Sequence, residues 1–507
     1  MVLKVTQMMS QNTLLSNING IKGDLLDIQA QLASGKRVNK PSDDPLNAGS
    51  IITLQGNLSQ NTQFIRNIDY TRSYLDKSES TLGSVTNIIT RAKELAIQMM
   101  NSVSYDATSR SSVATEIQQL HDEVISLGNT TIGSRYLFGG SITDTPPVAS
   151  GALFYGNTQA VTTQVDTFST FQVNTSASDV FVSDFNPAVS TTTPISSFSK
   201  GVGTTLGSVN ITNRLGTTTA VDLSAATTVN DILTTINASG AGVTASINAS
   251  KNGITITDNS AGTPTSNLII ANGDATNTAT NLMILGNRSG TAITGGDLDP
   301  AATATTNVAD LNGGAGLTLG SVAVQNGAAS AAVNLSASAT LGDVITAINA
   351  SGTNVTATIN ASGTGIDVKS NSTTTVATVN EIGNDGSTAS LLGMGEGTNL
   401  VKTLDTLYQA LMANDINAIG NSLTALTSNM ESVSESRAVI GGRLNRIDMK
   451  LDLLSNSNVN DEINLTYLRD TDMTEAAIKF NQLQVSQNAA LATASKILNT
   501  SLVDFLR

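Results

Sequence analysis

Leu14, Ile18, Ile21, Leu25, Ile28 and Leu32 are spaced 4, 3, 4, 3, 4, which lays one narrow apolar seam along a helix. Such a helix cannot bury its seam alone and needs a second helix against it. The far end of the chain offers one: Ile440, Leu444, Ile447, Leu451 and Leu454 repeat the 4, 3, 4, 3 spacing. The two ends are therefore expected to pack on one another, with everything between them inserted as outward domains.

After the first seam, Ser34 to Pro45 holds a glycine and two prolines among polar residues and predicts a surface loop. A second helical stretch carries Ile51, Leu54, Leu58, Ile65, Ile68, Leu75, Leu82, Val85 and Ile89, with Asn61, Arg72 and Glu79 at intervening seam positions. A third amphipathic run, Ser109 to Leu127, leads to Gly133-Ser-Arg-Tyr-Leu-Phe-Gly-Gly140, and Pro146-Pro147 marks a boundary. Near the other end, polar Ser455 to Asn460 predicts a break before a last helical run with Met473, Ala477, Phe480, Leu491, Ala494 and Leu498.

The middle differs in composition from its flanks. Residues 146–400 carry 20 charged side chains in 255, against 46 in the remaining 252, and are rich in Thr, Ser, Asn, Ala and Gly. They also contain a duplication. Thr228 to Asn248 (TVNDILTTINASGAGVTASIN) and Thr340 to Asn360 (TLGDVITAINASGTNVTATIN) share 13 of 21 positions at a period of 112, so each copy is one structural unit. Thr228 with Asp231, and Thr340 with Asp343, have capping-box spacing ahead of a short apolar face. Alternation at Val243, Ala245, Ile247 and at Val355, Ala357, Ile359 predicts strands for that helix to cover. The expected fold is α + β and multidomain: a coiled-coil-like helical bundle from both ends with inserted β-rich outer domains. The expected division is 1–145 helical, 146–200 β-rich, 201–310 first repeat, 311–400 second repeat and 401–507 helical.

Little of the usual chemistry is available. With 40 acidic and 26 basic residues and a net charge of -14, the chain lacks the field that attracts phosphate backbones or anionic lipid. There is no Cys, which excludes disulfides, thiolate chemistry and Cys-based zinc sites. The single histidine, His121, lies in a helical run beside Asp122 and Glu123 with no nucleophile motif, and reads as an ordinary helix residue. Gly393-Met-Gly395-Glu-Gly397 lacks the Lys-Ser/Thr of a phosphate loop and reads as a turn. Asp297 and Asp299 sit in a GGDLDP turn without the remaining ligands of a calcium loop. Neither catalysis nor a metal or cofactor is expected. Met1 to Leu15 lacks the basic and apolar regions of a cleavable signal peptide, and no apolar run reaches the roughly 18–20 residues that span a bilayer.

Asn12 to Gly49 (NTLLSNINGIKGDLLDIQAQLASGKRVNKPSDDPLNAG) resembles the amino-terminal helix and loop of the bacterial flagellin superfamily. The SGKRVNKPSDDP loop, Arg135 to Gly140 before Thr143-Asp-Thr-Pro-Pro147, Gly441 to Asn445, Asp470 to Met473 and the Ser501 to Arg507 tail look like the hook-associated branch that joins hook to filament. The duplicated INASG blocks look like the IN-type modules of that superfamily's outer domains; two of them make the chain larger than compact junction proteins and keep filament flagellin as the alternative. The resemblance implies a non-enzymatic, extracellular structural subunit exported through the flagellar type III channel. It implies as partners further copies of the chain in a ring, hook-associated protein 1, flagellin and an export chaperone, with neither nucleic acid nor membrane. Leu14, Ile18, Ile21, Leu25, Ile28, Leu32, Leu444, Ile447, Leu451, Leu454, Leu498, Leu502 and Phe505 are the candidate assembly seam.

Overall fold

In a computed structural model the chain is described over residues 2–101, 103–382, 387–395 and 397–505, apart from the side chains of 2–8, 10, 11 and 497–505. The main helices among the described residues are α1 (Val2–Ser34), α2 (Pro45–Met99), α3 (Ala107–Gly128), α4 (Val229–Ala238), α5 (Leu341–Asn349), α6 (Leu400–Met412), α7 (Ile416–Arg469) and α8 (Met473–Phe505). Two compact units result, one of residues 1–69, 164–169 and 446–507, the other of 70–163 and 170–445.

In the first unit α1 ends where Gly35 turns to φ +72°, a left-handed backbone that glycine adopts without a Cβ penalty. The chain then pairs with its far end. Lys36 bridges Asp470 antiparallel, the Arg37 and Val38 amides donate to the Arg469 carbonyl at 2.7 and 3.1 Å, and the Thr471 amide donates to the Gly35 carbonyl at 3.0 Å. The end of α1 thus lies beside the start of α8, and the two helices pack along each other. Asp472 accepts from the Thr474 and Glu475 amides and satisfies the open first turn of α8. Val38 and Ile51 are buried with Leu465, and Leu54, Leu58 and Leu468 cover them, so the first part of α2 packs on the last part of α7.

The break expected at Ser455 to Asn460 does not exist: α7 is one helix of 54 residues. Serine and asparagine cost only tenths of a kcal/mol each in a helix interior, roughly 0.5 relative to alanine, too little to stop a helix held by packing. The seam runs on through the polar stretch, since Leu454, Asn458, Asp461, Leu465 and Leu468 keep the 4, 3, 4, 3 spacing and all are at least half-buried. The chain breaks instead at Asp470-Thr471-Asp472.

In the second unit Leu75, Leu82, Val85 and Ile89 of α2 are buried, while Arg72 is exposed and the seam passes through buried Thr71 and Tyr74. The Tyr74 hydroxyl donates to the Leu137 carbonyl, and Phe138 packs on Phe181 with ring centroids 5.1 Å apart. The Arg437 guanidinium bonds the Glu79 carboxylate at 2.6 Å, joining α7 to α2.

A hairpin of β1 (Thr162–Gln164) and β2 (Thr170–Gln172) precedes the two repeats. The first repeat holds β3 (Ser208–Thr212), β4 (Thr218–Asp222), α4, β5 (Val243–Ile247), β6 (Ile254–Asp258), β7 (Leu268–Asn272), β8 (Gly286–Arg288) and β9 (Ala292–Thr294). The second holds β10 (Ser321–Asn326), β11 (Ala329–Asn334), α5, β12 (Val355–Ile359), β13 (Ile366–Ser370) and β14 (Ala377–Glu381). Antiparallel sheets of order β8-β7-β3-β4 and β9-β6-β5 in the first correspond to β11-β10-β14 and β12-β13 in the second. The central strands pair in the same way, Ile270 opposite Ile211 and Val379 opposite Val324. Both expected capping boxes form, at Thr228 with Asp231 and at Thr340 with Asp343. Behind them Ile232 and Ile236, or Val344 and Ile348, enter separate cores with the strand residues.

The capping geometry sets an acid response. Backbone and hydroxyl donors of Thr227 and Thr228 hold the Asp231 carboxyl down at about 2. A depressed carboxyl contributes stability above its unfolded value near 4, and that contribution is lost as the pH falls towards 2. Calorimetry from about pH 5 to 2 is expected to show the wild type losing stability through this window and Asp231→Asn losing less. Thr340→Ala, which removes one cap bond, is expected to cost about 1 kcal/mol, and Ile232→Ala, fully buried in its core, about 2–5 kcal/mol.

Candidate assembly surface

Along α1 the seam residues Leu14, Ile18, Ile21, Leu25 and Leu32 are half-buried and Ile28 is buried. The facing stripe of α8 is Ala476, Phe480, Leu483, Gln487, Ala490 and Ala494, again spaced 4, 3, 4, 3, 4. Three alanines opposite large aliphatic side chains let the helices approach closely. Of the apolar residues expected in this helical run, Ala477 and Leu491 are exposed because each falls one residue after a stripe position, at Ala476 and Ala490; Met473 keeps the stripe's phase but is exposed at the first turn of α8. Leu498, Leu502 and Phe505 lie in the last turns of α8, but their side chains are outside the described residues. On α7, Ile447 and Leu454 are buried and Leu444 and Leu451 half-buried.

A second stripe was not anticipated. Met449, Leu453, Ile463 and Tyr467 of α7 are 60–85% exposed, each two residues beyond an inner-seam position, and Ile478 and Val485 of α8 repeat that offset. The signal was present in the sequence as the same 3.5-residue period displaced by two. Beside Tyr467, a groove lined by Thr53, Leu54 and Leu468 runs to Leu46, which is 92% exposed. The hairpin between β1 and β2 adds another apolar group. Its tip is fastened by the Asn67 side-chain amide donating to the Gln164 carbonyl at 2.8 Å and by a Lys450–Asp166 ion pair, leaving Phe168 97% exposed. Large apolar side chains are thus held outward on tied-down elements.

The loop from Gly35 to Pro45 is braced from both sides. Arg37 donates to the Leu468 carbonyl at 2.7 Å and to Asp44 at 3.2 Å, and Asp43 accepts from the Lys40 and Asn39 amides. Amide donation from Lys40 and Asn39 holds the Asp43 carboxyl below the usual range, and Asn47 does the same for Asp44.

Residues singled out for chemistry have structural partners. His121 is buried on α3 with Nδ1 3.0 Å from Asp122 Oδ1. Gly393, Gly395 and Gly397 occupy a turn with positive φ ahead of α6. Asp297 and Asp299 gather around the Lys200 ammonium. Among the described residues no group of three or more His, Cys, Asp or Glu could hold a metal ion, and no helix is long and apolar enough to cross a membrane.

Comparison with known proteins agrees with the two-ended architecture. Residues 5–143 match the bacterial flagellin N-terminal helical region and residues 423–506 the C-terminal helical region. Both ends of the chain are thus similar to the helical regions of bacterial flagellins. The chain is 32% identical to flagellar hook-associated protein 3 of Salmonella typhimurium over 187 residues, 36% of this chain and 58% of that one. To the flagellar filament 41 kDa core protein of Borreliella burgdorferi it is 34% identical over 110 residues, 22% of this chain and 32% of that one. The chain thus spans little more than half the length of the former relative and a third of the latter. The crystal structure of hook-associated protein 3 from Legionella pneumophila overlaps 82% of this chain and 98% of its own at 15% identity, with a TM-score of 0.37.

Because Arg37 is largely solvent-facing, Arg37→Ala is expected to cost no more than about 1 kcal/mol globally. It should nonetheless open the braced loop, read as faster proteolytic cleavage between residues 36 and 44.

Proposed function

We propose that this chain is a structural, non-catalytic subunit of the bacterial flagellum, an adaptor at the hook-filament junction on which flagellin assembles. The observation that carries the reading is the two-faced α7 helix. Its inner seam is closed within the chain, while Met449, Leu453, Ile463 and Tyr467 offer a parallel seam to a neighbour. The match to hook-associated protein 3, longer in both chains than the match to the filament core protein, favours the junction over the filament. In this reading the candidate seam from Leu14 to Leu32, Leu444 to Leu454 and Leu498 to Phe505 supports assembly by holding the helical ends together within each subunit, the outer stripe meets the neighbour, and further copies of the chain form a ring. Hook-associated protein 1 lies below and flagellin above. An export chaperone guards α8 before secretion, and the subunit passes the type III channel unfolded, which a chain without cysteine can do without crosslinking. The two repeats are IN-type outer modules in the five-part division given above, carried by the helical ends rather than needed for joining.

Electron microscopy of a deletion strain tests this. Complete hooks, with flagellin shed into the medium, are expected; normal filaments, or labelled protein along a filament's whole length, would overturn the junction reading. The double variant Met449→Asp, Tyr467→Asp separates assembly from folding. Both side chains are exposed in the monomer, so its stability should change by less than about 1 kcal/mol. Its incorporation should fail, because carboxylates buried unpaired in an interface cost several kcal/mol.

A further inference from the structure

The duplication extends beyond the INASG blocks into the segments that lead into each repeat. Asp184 to Val209 aligns with Asp297 to Val322 at a period of 113 with 12 identities in 26 positions, beginning Asp-Phe-Asn-Pro-Ala in one and Asp-Leu-Asp-Pro-Ala in the other. In the fold these linkers cross and bond reciprocally. The Ala188 amide donates to the Asp310 carbonyl and the Ala301 amide to its counterpart Ser197, both at 2.7 Å. Lys200 donates to the Asp299 carbonyl and Gly313 to Asn186, again both at 2.7 Å. The backbone follows the same local two-fold: φ is +40° and +44° at Asn186 and Asp299, +57° and +65° at Lys200 and Gly313.

The side chains break that symmetry at these two pairs. Where one copy has glycine, which takes a left-handed backbone freely, the other has lysine, which does so at a cost. The lysine is buried, its Nζ 2.5 Å from Asp184 Oδ2 and 3.7 Å from Asp299 Oδ1, over the Phe154 ring at 5.2 Å. Asp297 joins them, its Oδ1 accepting from the Asp299 amide at 2.9 Å. The groups acting on the Asp299 carboxyl are Lys200, Asp297, Asp184 and the neutral Asn157; those acting on Asp297 include Lys200, Asp184 and Asn252. One ammonium thus meets three buried carboxyls, and two unbalanced negative charges inside a protein are costly enough that a proton is retained.

We propose that Lys200 with Asp184, Asp297 and Asp299 is a proton-linked latch at the crossing of the two repeat linkers, closed at acid pH and loosened as the pH rises to neutrality. Burial pushes the carboxyls of Asp297 and Asp299 up, that of Asp299 to about 7 although Lys200 pulls it down, and the two share the retained proton. In the opened linkers these carboxyls return to ordinary values near 4, so between about pH 4 and 7 opening releases a proton and is favoured by rising pH. Above about 7 both states are ionised and the dependence stops. The latch fixes how the first repeat is held against the second, independently of the flagellar reading.

Hydrogen exchange of the Ala188, Lys200, Ala301 and Gly313 amides in the full chain, corrected for intrinsic exchange, tests this from about pH 5 to 8. The wild-type opening constant is expected to rise up to about tenfold per pH unit and to level off above about 7. Asp299→Asn, the residue already present at the equivalent Asn186, is expected to stay protected with that rise abolished. Lys200→Met is expected to open at least about tenfold more at neutral pH and to recover in acid. A flat wild-type profile, or Asp299→Asn following the wild-type curve, would overturn the latch, and those two proteins decide the matter even if Lys200→Met does not fold.

Discussion

The fold of the first unit depends on one contact between residues more than 400 apart in sequence: the antiparallel closure of Gly35 to Val38 on Arg469 to Thr471. It brings α1 beside α8 and sets the register in which Ile51 meets Leu465. Once that closure exists, the length of chain between the halves matters little to its free energy, because loop-closure entropy grows only with the logarithm of loop length. This is the physical reason that a fold closed at its two ends can accept a long middle between them. Here the middle uses that freedom for two repeats, each with its own apolar core.

What could be read from the sequence was whatever depends on local spacing. The α1 seam, the two capping boxes and the alternating strands after them follow from residues within one or two turns of each other, and the structure has them at the anticipated positions. What failed were inferences that treated polarity as a stop signal. Ser455 to Asn460 reads as a break only if packing is ignored; with Leu454 and Leu465 fixed on either side, the helix keeps its phase and puts Asn458 and Asp461 on the seam. Likewise the spacing of its apolar neighbours puts Arg72 at an intervening seam position of α2, whereas the buried positions are Thr71 and Tyr74, since a straight helix drifts against a 3.5-residue repeat.

The linker crossing lay beyond sequence reasoning for a different reason. In a stretch dominated by Ser, Thr, Gly and Ala, a short run of identities carries little weight until reciprocal hydrogen bonds show that the two copies occupy equivalent places. Its charged members are scattered over 116 residues, from Asp184 to Asp299, and only one of the three carboxyls, that of Asp184, lies within 20 residues of the lysine. The two copies differ here at atomic scale: the left-handed turns are the same, while lysine in one stands where the other has glycine, and asparagine where the other has aspartate.

The polar seam positions of α7 bear on why its outer stripe is apolar. Asn458 has a buried side-chain oxygen without a partner, a defect that weakens the inner seam while penalising slipped registers in which the amide would face larger apolar groups. The α1 and α8 seam is mostly half-buried rather than fully enclosed. The exposed Met449, Leu453, Ile463 and Tyr467 represent apolar burial still to be gained by any surface that covers them. Because the inner and outer stripes lie on the same helix two residues apart, about 200° around its axis, they occupy opposite faces, and a neighbour can cover the outer stripe without disturbing the inner one. On the proposed reading, a neighbour bound there buries the second face of a helix whose first face the chain has already closed, and such binding stabilises the folded helical ends by mass action.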